Sequence, residues 1–231
     1  MNTQRIGAIF EKDLKDFMKN MMLLTMPIIP IILALIYSRL GGDEGLPISM
    51  LYLIVGVTFS SVTSSCMMTM MAEENEKKTL RGLMLSPASF MDIIVGKSLV
   101  VGLMTFIALA ISLLLVGMKP FLNVQAIIGL ILLFLFFLFL GIGIGLFTKS
   151  VASTSAYLMP VMFLFGFTPM IDFLGLGEDS IAITVAELFP LMQLIIMHET
   201  NSWVPIGIVA IWTIAAAAFT YICFKKERTD D

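Results

Sequence analysis

Long apolar runs recur from one end of this chain to the other, and they constrain its fold more than any other feature. A bilayer core takes about 20 apolar residues of helix. Six stretches qualify: Met21–Ser38, Pro47–Met71, Ile93–Gly117, Val124–Phe147, Val151–Ile171 and Trp203–Phe224. Of the 231 residues, 58% are hydrophobic and only 13% charged. A water-soluble globule with so little polar surface could not cover its own core. The expected class is therefore an all-α polytopic membrane protein with six transmembrane helices. No polar stretch is long enough for a separate globular domain, so residues 1–231 read as one transmembrane domain.

A seventh apolar region, Ala182–Met197, is interrupted by Glu187 and Pro190. It would barely cross, and it reads as a pair of short re-entrant or interfacial helices within an extracellular segment, 172–202. The placement of Lys and Arg supports this count. With six spans and both termini in the cytoplasm, only Arg39 and Lys119 of the 14 positive residues fall outside. A seventh span would move the tail residues Lys225, Lys226 and Arg228 to the outer side, against the positive-inside rule. In residues 1–20, Ile6, Ile9, Phe10, Leu14 and Phe17 repeat at helical spacing, with Lys12, Asp13, Lys15, Asp16 and Lys19 elsewhere on the wheel. That pattern predicts an amphipathic helix lying along the inner membrane surface.

Most chemistries find no support. No basic stripe with interleaved aromatics points to nucleic acid. Cys66 and Cys223 lie far apart in apolar runs and make no redox or zinc motif. Glu73 and Glu74 resemble the paired glutamates of intramembrane proteases, but His198 is the only histidine, and it reads as a solvated loop residue. The span interiors are expected to hold no ionisable group, with Asp92 and Asp172 at their edges, which disfavours proton-coupled transport. GIGIG at Gly141–Gly145 lies inside an apolar helix rather than after a strand, so it is not a phosphate loop. Its GxxxG spacing instead permits close helix contact. No GxxxxGK[ST] occurs, so no catalytic residue, metal site or cofactor is assigned to this chain.

Span two carries Gly56, Ser60 and Ser64 at four-residue intervals, with Ser61 and Ser65 beside them and Met68 following. Small-residue packing and intrahelical bonding explain this stripe. An adaptable surface facing a translocation path or a dimer partner explains it too, since methionine accommodates varied apolar ligands. Tyr157, Met162 and Phe163 of span five form a candidate partner surface, and core packing accounts for them equally well.

The densest polar cluster runs from Ala72 to Leu99, with the coupling segment at 72–92 ahead of span three. Glu73–Lys77 and Glu74–Lys78 are i,i+4 pairs, Leu80, Leu83 and Met84 make a compact apolar face, and Pro87 marks a turn. A short amphipathic cytoplasmic helix tethered to two spans is suited to carrying motion into the membrane. The string EENEKKTLRGLMLSPASFMDIIVGK resembles the coupling region of ABC type-2 exporter permeases, approximately E-x-E-x-G-T-L-E-x-L-L-x-[ST]-P-x-S with Gly-Lys further on. Glu74, Glu76, Thr79, Leu80, Leu83, Ser86, Pro87, Ser89, Gly96 and Lys97 match, whereas Lys78 and Arg81 replace the usual glycine and glutamate.

The resemblance implies the transmembrane subunit of an ATP-driven exporter in the cell membrane. Glu74, Glu76, Thr79, Leu80, Leu83, Met84, Ser86 and Pro87 would couple it to a separate nucleotide-binding ATPase, which would hold ATP and Mg. A second permease subunit, identical or related, would complete the pathway. The apolar, Met- and Phe-rich surfaces favour a hydrophobic or amphipathic cargo such as a peptide, bacteriocin or drug. Export of a lipid-linked glycan or other lipid is the alternative, as is a stand-alone immunity protein or carrier.

Overall fold

The computed structural model describes residues 3–40, 45–77, 89–175 and 180–229, and these are helical with no strand among them. We number the helices α1 (Thr3–Lys19), α2 (Met21–Ser38), α3 (Ile48–Glu76), α4 (Phe90–Val116), α5 (Val124–Phe147), α6 (Val151–Gly166), α7 (Ile181–Glu187), α8 (Pro190–Thr200) and α9 (Val204–Thr229). Five of them, α2, α3, α4, α5 and α9, are long and apolar enough to cross a bilayer. The chain is thus a multi-pass helical membrane protein, as the apolar runs predict.

The span expected at Val151–Ile171 is shorter than foreseen. Pro160 removes a backbone donor within α6, and the helix passes into a π turn at Met162–Gly166. Thr168, which precedes Pro169, then starts a 3-10 turn running to Leu174. The seventh apolar region does break into two short helices, α7 and α8, bent by 85° at Leu188 and Phe189. Pro190, which cannot donate, starts the second of them, where no donor is needed.

One helix organises the rest. Of the best membrane-spanning stretch of α3, 94% is buried within the chain, against 17% of that in α2. The glycines of α5 make this close packing possible. A Cβ on Gly141 would come within 2.6 Å of the Ser64 carbonyl oxygen, and one on Gly145 within 2.6 Å of Met71 Cβ. The GxxxG notch therefore receives α3 directly. On another side of α3, a Cβ on Gly166 of α6 would sit 3.0 Å from Ser60 Cβ and 3.2 Å from the Gly56 oxygen. At that contact α3 itself has a π turn, Phe59–Ser64, closed by the Ser65 N–H donating to the Ser60 carbonyl.

The amphipathic helix α1 is present, and Ile6, Ile9 and Phe17 are buried as predicted. Asp13 is not on the polar side where the wheel was expected to leave it, since it is buried in line with them. Gly96 explains how α1 approaches α4, because a Cβ there would come within 2.6 Å of Ile9 Cγ2.

Candidate functional site

The end of α3 meets polar side chains of two other helices, α1 and α4, and backbone groups of two more, α5 and α6. The helix continues to Glu76, past the expected boundary at Met71, so Glu73–Glu76 form its last turn rather than a separate helix. Each of these residues points at a different partner.

Glu74 joins a buried ion cluster. Lys97 Nζ of α4 lies 2.8 Å from Glu74 Oε1 and 3.2 Å from Asp13 Oδ2 of α1. Lys12 Nζ lies 3.2 Å from Glu74 Oε1 and 3.3 Å from Asp13 Oδ1. The side chains of Lys97 and Asp13 are only 2% and 3% exposed, so neither charge is tolerable without the other. Among the described residues, two carboxylates face two ammonium groups in the cluster. Lys12 is its half-exposed member. Partial burial pulls its pKa down, but the charges of Glu74 and Asp13 outweigh this and raise it above the usual lysine value. Beside the cluster lies a cavity of about 350 Å³, which Asp16, Lys19, Asn20 and Met70 also line.

The neighbouring residues reach the other two helices. Asn75 Nδ2 lies 3.2 Å from the carbonyl oxygens of Gly145 and Thr148 and 3.3 Å from that of Leu146, all at the end of α5. Glu76 Oε2 accepts the Val151 N–H of α6 at 2.8 Å. Both contacts satisfy backbone groups that helix ends leave without an internal partner. Glu73 pairs with Lys77 at 2.5 Å, as its spacing predicts.

The opposite end of the bundle is held by rings. His198 Nε2 donates to the Pro120 carbonyl at 2.7 Å, and its Nδ1 accepts from the Tyr52 hydroxyl at 3.0 Å. Tyr52 and Phe121 meet edge to face at 5.2 Å. His198 is therefore a half-buried bridge in the last turn of α8, not a solvated loop residue.

The foreseen site residues fall into three groups. Glu74 and Glu76 lie in the junction just described. Thr79, Leu80, Leu83, Met84, Ser86 and Pro87 lie outside the described residues, as does Lys78. Gly56, Ser60, Ser61, Ser64, Ser65 and Met68 sit inside the single chain, where Ser61 and Ser65 donate to the carbonyls of Val57 and Ser60. Of the α6 residues, Phe163 is 65% exposed and Tyr157 packs edge-on against Phe147, while Met162 is half-buried.

Three participants escaped the sequence reading. Lys97 contradicts the expectation of span interiors without ionisable groups: it is buried in α4, two turns past the capping Ser89. Asp13 had a visible signal, being four residues after Ile9 and four before Phe17 on the apolar stripe. Asn75 had none, because its partners are backbone carbonyls seventy residues away.

A central buried helix, flanked by membrane-crossing helices and tied to them at one end by polar contacts, defines a multi-pass membrane domain whose helices are mechanically linked. A sequence model of the ABC-2 family transporter proteins matches residues 19–224, and the chain belongs to that family. It is the membrane-embedded permease of an ABC transporter, a class that works with an ABC ATPase. Comparison with curated proteins returns no match.

Proposed function

We propose that this chain is the transmembrane subunit of an ATP-driven exporter that moves a hydrophobic or amphipathic cargo, such as a peptide or drug, out of the cell. The single observation that carries this reading is the junction at the end of α3. Residues 78–88, with their apolar Leu80, Leu83 and Met84, follow directly from a helix end bonded to α1, α4, α5 and α6. A push delivered there meets the whole bundle rather than one helix. ATP and Mg belong to the separate nucleotide-binding subunit, and a second permease subunit completes the pathway. The junction faces the cytoplasm, with both chain ends on that side, because the positive residues collect there.

The test is co-expression with a Walker-motif ATPase, followed by co-purification and uptake of a fluorescent amphipathic peptide into inside-out vesicles. ATP-dependent uptake that is lost with Leu83→Asp, together with partner binding, supports the reading. An unpaired charge in a buried contact costs several kcal/mol. Full binding and uptake by Leu83→Asp would reduce the segment to a plain connector. Orientation is read separately with an impermeant maleimide on intact cells. Leu122→Cys and Glu199→Cys should label, and Lys15→Cys and Lys225→Cys should not.

A further inference from the structure

We propose that Asn75 and Glu76 are positioning residues that clamp the turn between α5 and α6 to the end of α3, so that movement of α3 is passed to α6. This rests on the permease reading above and adds the route by which motion crosses the bundle. Three observations carry it.

The turn itself is short and internally bonded. Only Thr148, Lys149 and Ser150 separate the two helices. Thr148 is buried, and its hydroxyl donates back to the Ile144 carbonyl at 3.0 Å. Ser150 and Ser153 form a capping box at the start of α6. Such a turn moves as a unit with both helix ends.

Adjacent residues of α3 then hold the two sides of that turn with opposite chemistry. Asn75 supplies a donor to the carbonyls ending α5, and Glu76 supplies an acceptor to the first N–H group of α6. A carboxylate also suits the positive end of a helix dipole, and a neutral amide donor suits the carbonyl end. A carboxylate at position 75 would instead set acceptor against acceptor.

The clamp also acts at the more sparsely packed end of α6. Ala152, Ser155, Ala156, Met159 and Pro160 of α6 are exposed, so one side of this half of the helix is left uncovered by the described residues. At its far end α6 bears on α3 again, at Gly166 against Gly56 and Ser60, while Phe165 packs against Phe136 and Phe137 of α5 and Trp212 of α9. With α3 gripping both ends, α6 follows α3. Glu76 thus works inward on the permease, a role distinct from touching the ATPase.

The experiment uses the complex with its co-expressed ATPase, in a background lacking Cys66 and Cys223. Spin labels at Ala156 on α6 and Tyr221 on α9 report the distance between them without nucleotide and with ATP and Mg. The wild-type distance distribution should shift with nucleotide. Asn75→Ala and Glu76→Ala should lose that shift while still co-purifying with the ATPase, and Glu76→Gln, which can still accept the Val151 N–H, should keep it. Glu76 is exposed, so its variants test the clamp even if Asn75→Ala fails to fold. An unaltered shift in folded alanine variants would overturn the clamp and leave the permease reading standing. So would a loss in Glu76→Gln equal to that in Glu76→Ala. A wild-type chain that captures no ATPase would sink the exporter reading first, and the clamp with it.

Discussion

The two ends of this bundle are joined by different means. At the α3 end, Asp13, Glu74, Lys12 and Lys97 meet around a cavity of about 350 Å³. At the other, Tyr52, Phe121 and His198 pack as rings, with two directed hydrogen bonds. Long charged side chains beside open space can exchange partners as helices shift, whereas rings in edge contact hold one geometry. The contrast assigns rearrangement to the charged end and anchoring to the aromatic end.

Four changes probe the contrast, beginning with the most damaging. Lys97→Met takes the buried ammonium away from Asp13 and Glu74 and should cost about 3–5 kcal/mol of unfolding free energy in lipid micelles. Adding Asp13→Asn should recover part of that loss. A Lys97→Met protein of normal stability would show that the cluster is solvated and the contrast misplaced. At the other end, His198→Ala strands the Tyr52 hydroxyl and the Pro120 carbonyl, for about 1–3 kcal/mol by the same assay. It should leave ATP-dependent distance changes intact if that end is only an anchor.

The milder pair concerns Lys12. Because it is half-exposed, Lys12→Ala should cost at most about 1 kcal/mol, and less in high salt. Its raised pKa fixes the sign of any pH effect. A base with a raised folded-state pKa contributes stability below its unfolded pKa and loses it as pH rises through the folded value. Wild type and Lys12→Ala should therefore differ by a constant amount from pH 6 to 9. The gap should close only above the ordinary lysine value of about 10.4. Convergence near neutral pH would mean that another group controls the contact.

What the sequence revealed follows from the range of each signal. The spans were legible because a bilayer imposes its thickness on every crossing helix, so each apolar run announces itself locally. The GxxxG notch and the bend before Pro190 are equally local. The family-like Gly96 and Lys97 were visible as a pair, but their roles required α1 to be in place: Gly96 admits Ile9, and Lys97 neutralises Asp13. The serine and methionine stripe of α3 could be assigned to packing or to a pathway on composition alone. Knowing which side each residue faces required the neighbouring helices that enclose it. Asn75 shows the limit most clearly. Backbone carbonyls are the same in every residue, so a side chain that binds them leaves no matching partner in the sequence.

The π turn at Phe59–Ser64 bears on how α3 can serve so many neighbours. A π turn holds one more residue than an α turn, and each α-helical residue advances about 100° around the axis. The half of α3 that meets α6 at Gly56 and the half that meets α5 at Ser64 and Met68 are therefore offset from the phase of a plain α-helix. Tightening Phe59–Ser64 into plain α-helix at unchanged chain length would swing the last turn around the axis by about 100°. Glu74 would then leave Lys97, and Asn75 would leave the end of α5, with no junction residue mutated. The angular setting of the junction is thus encoded upstream, in a turn that contributes none of the junction's own side chains.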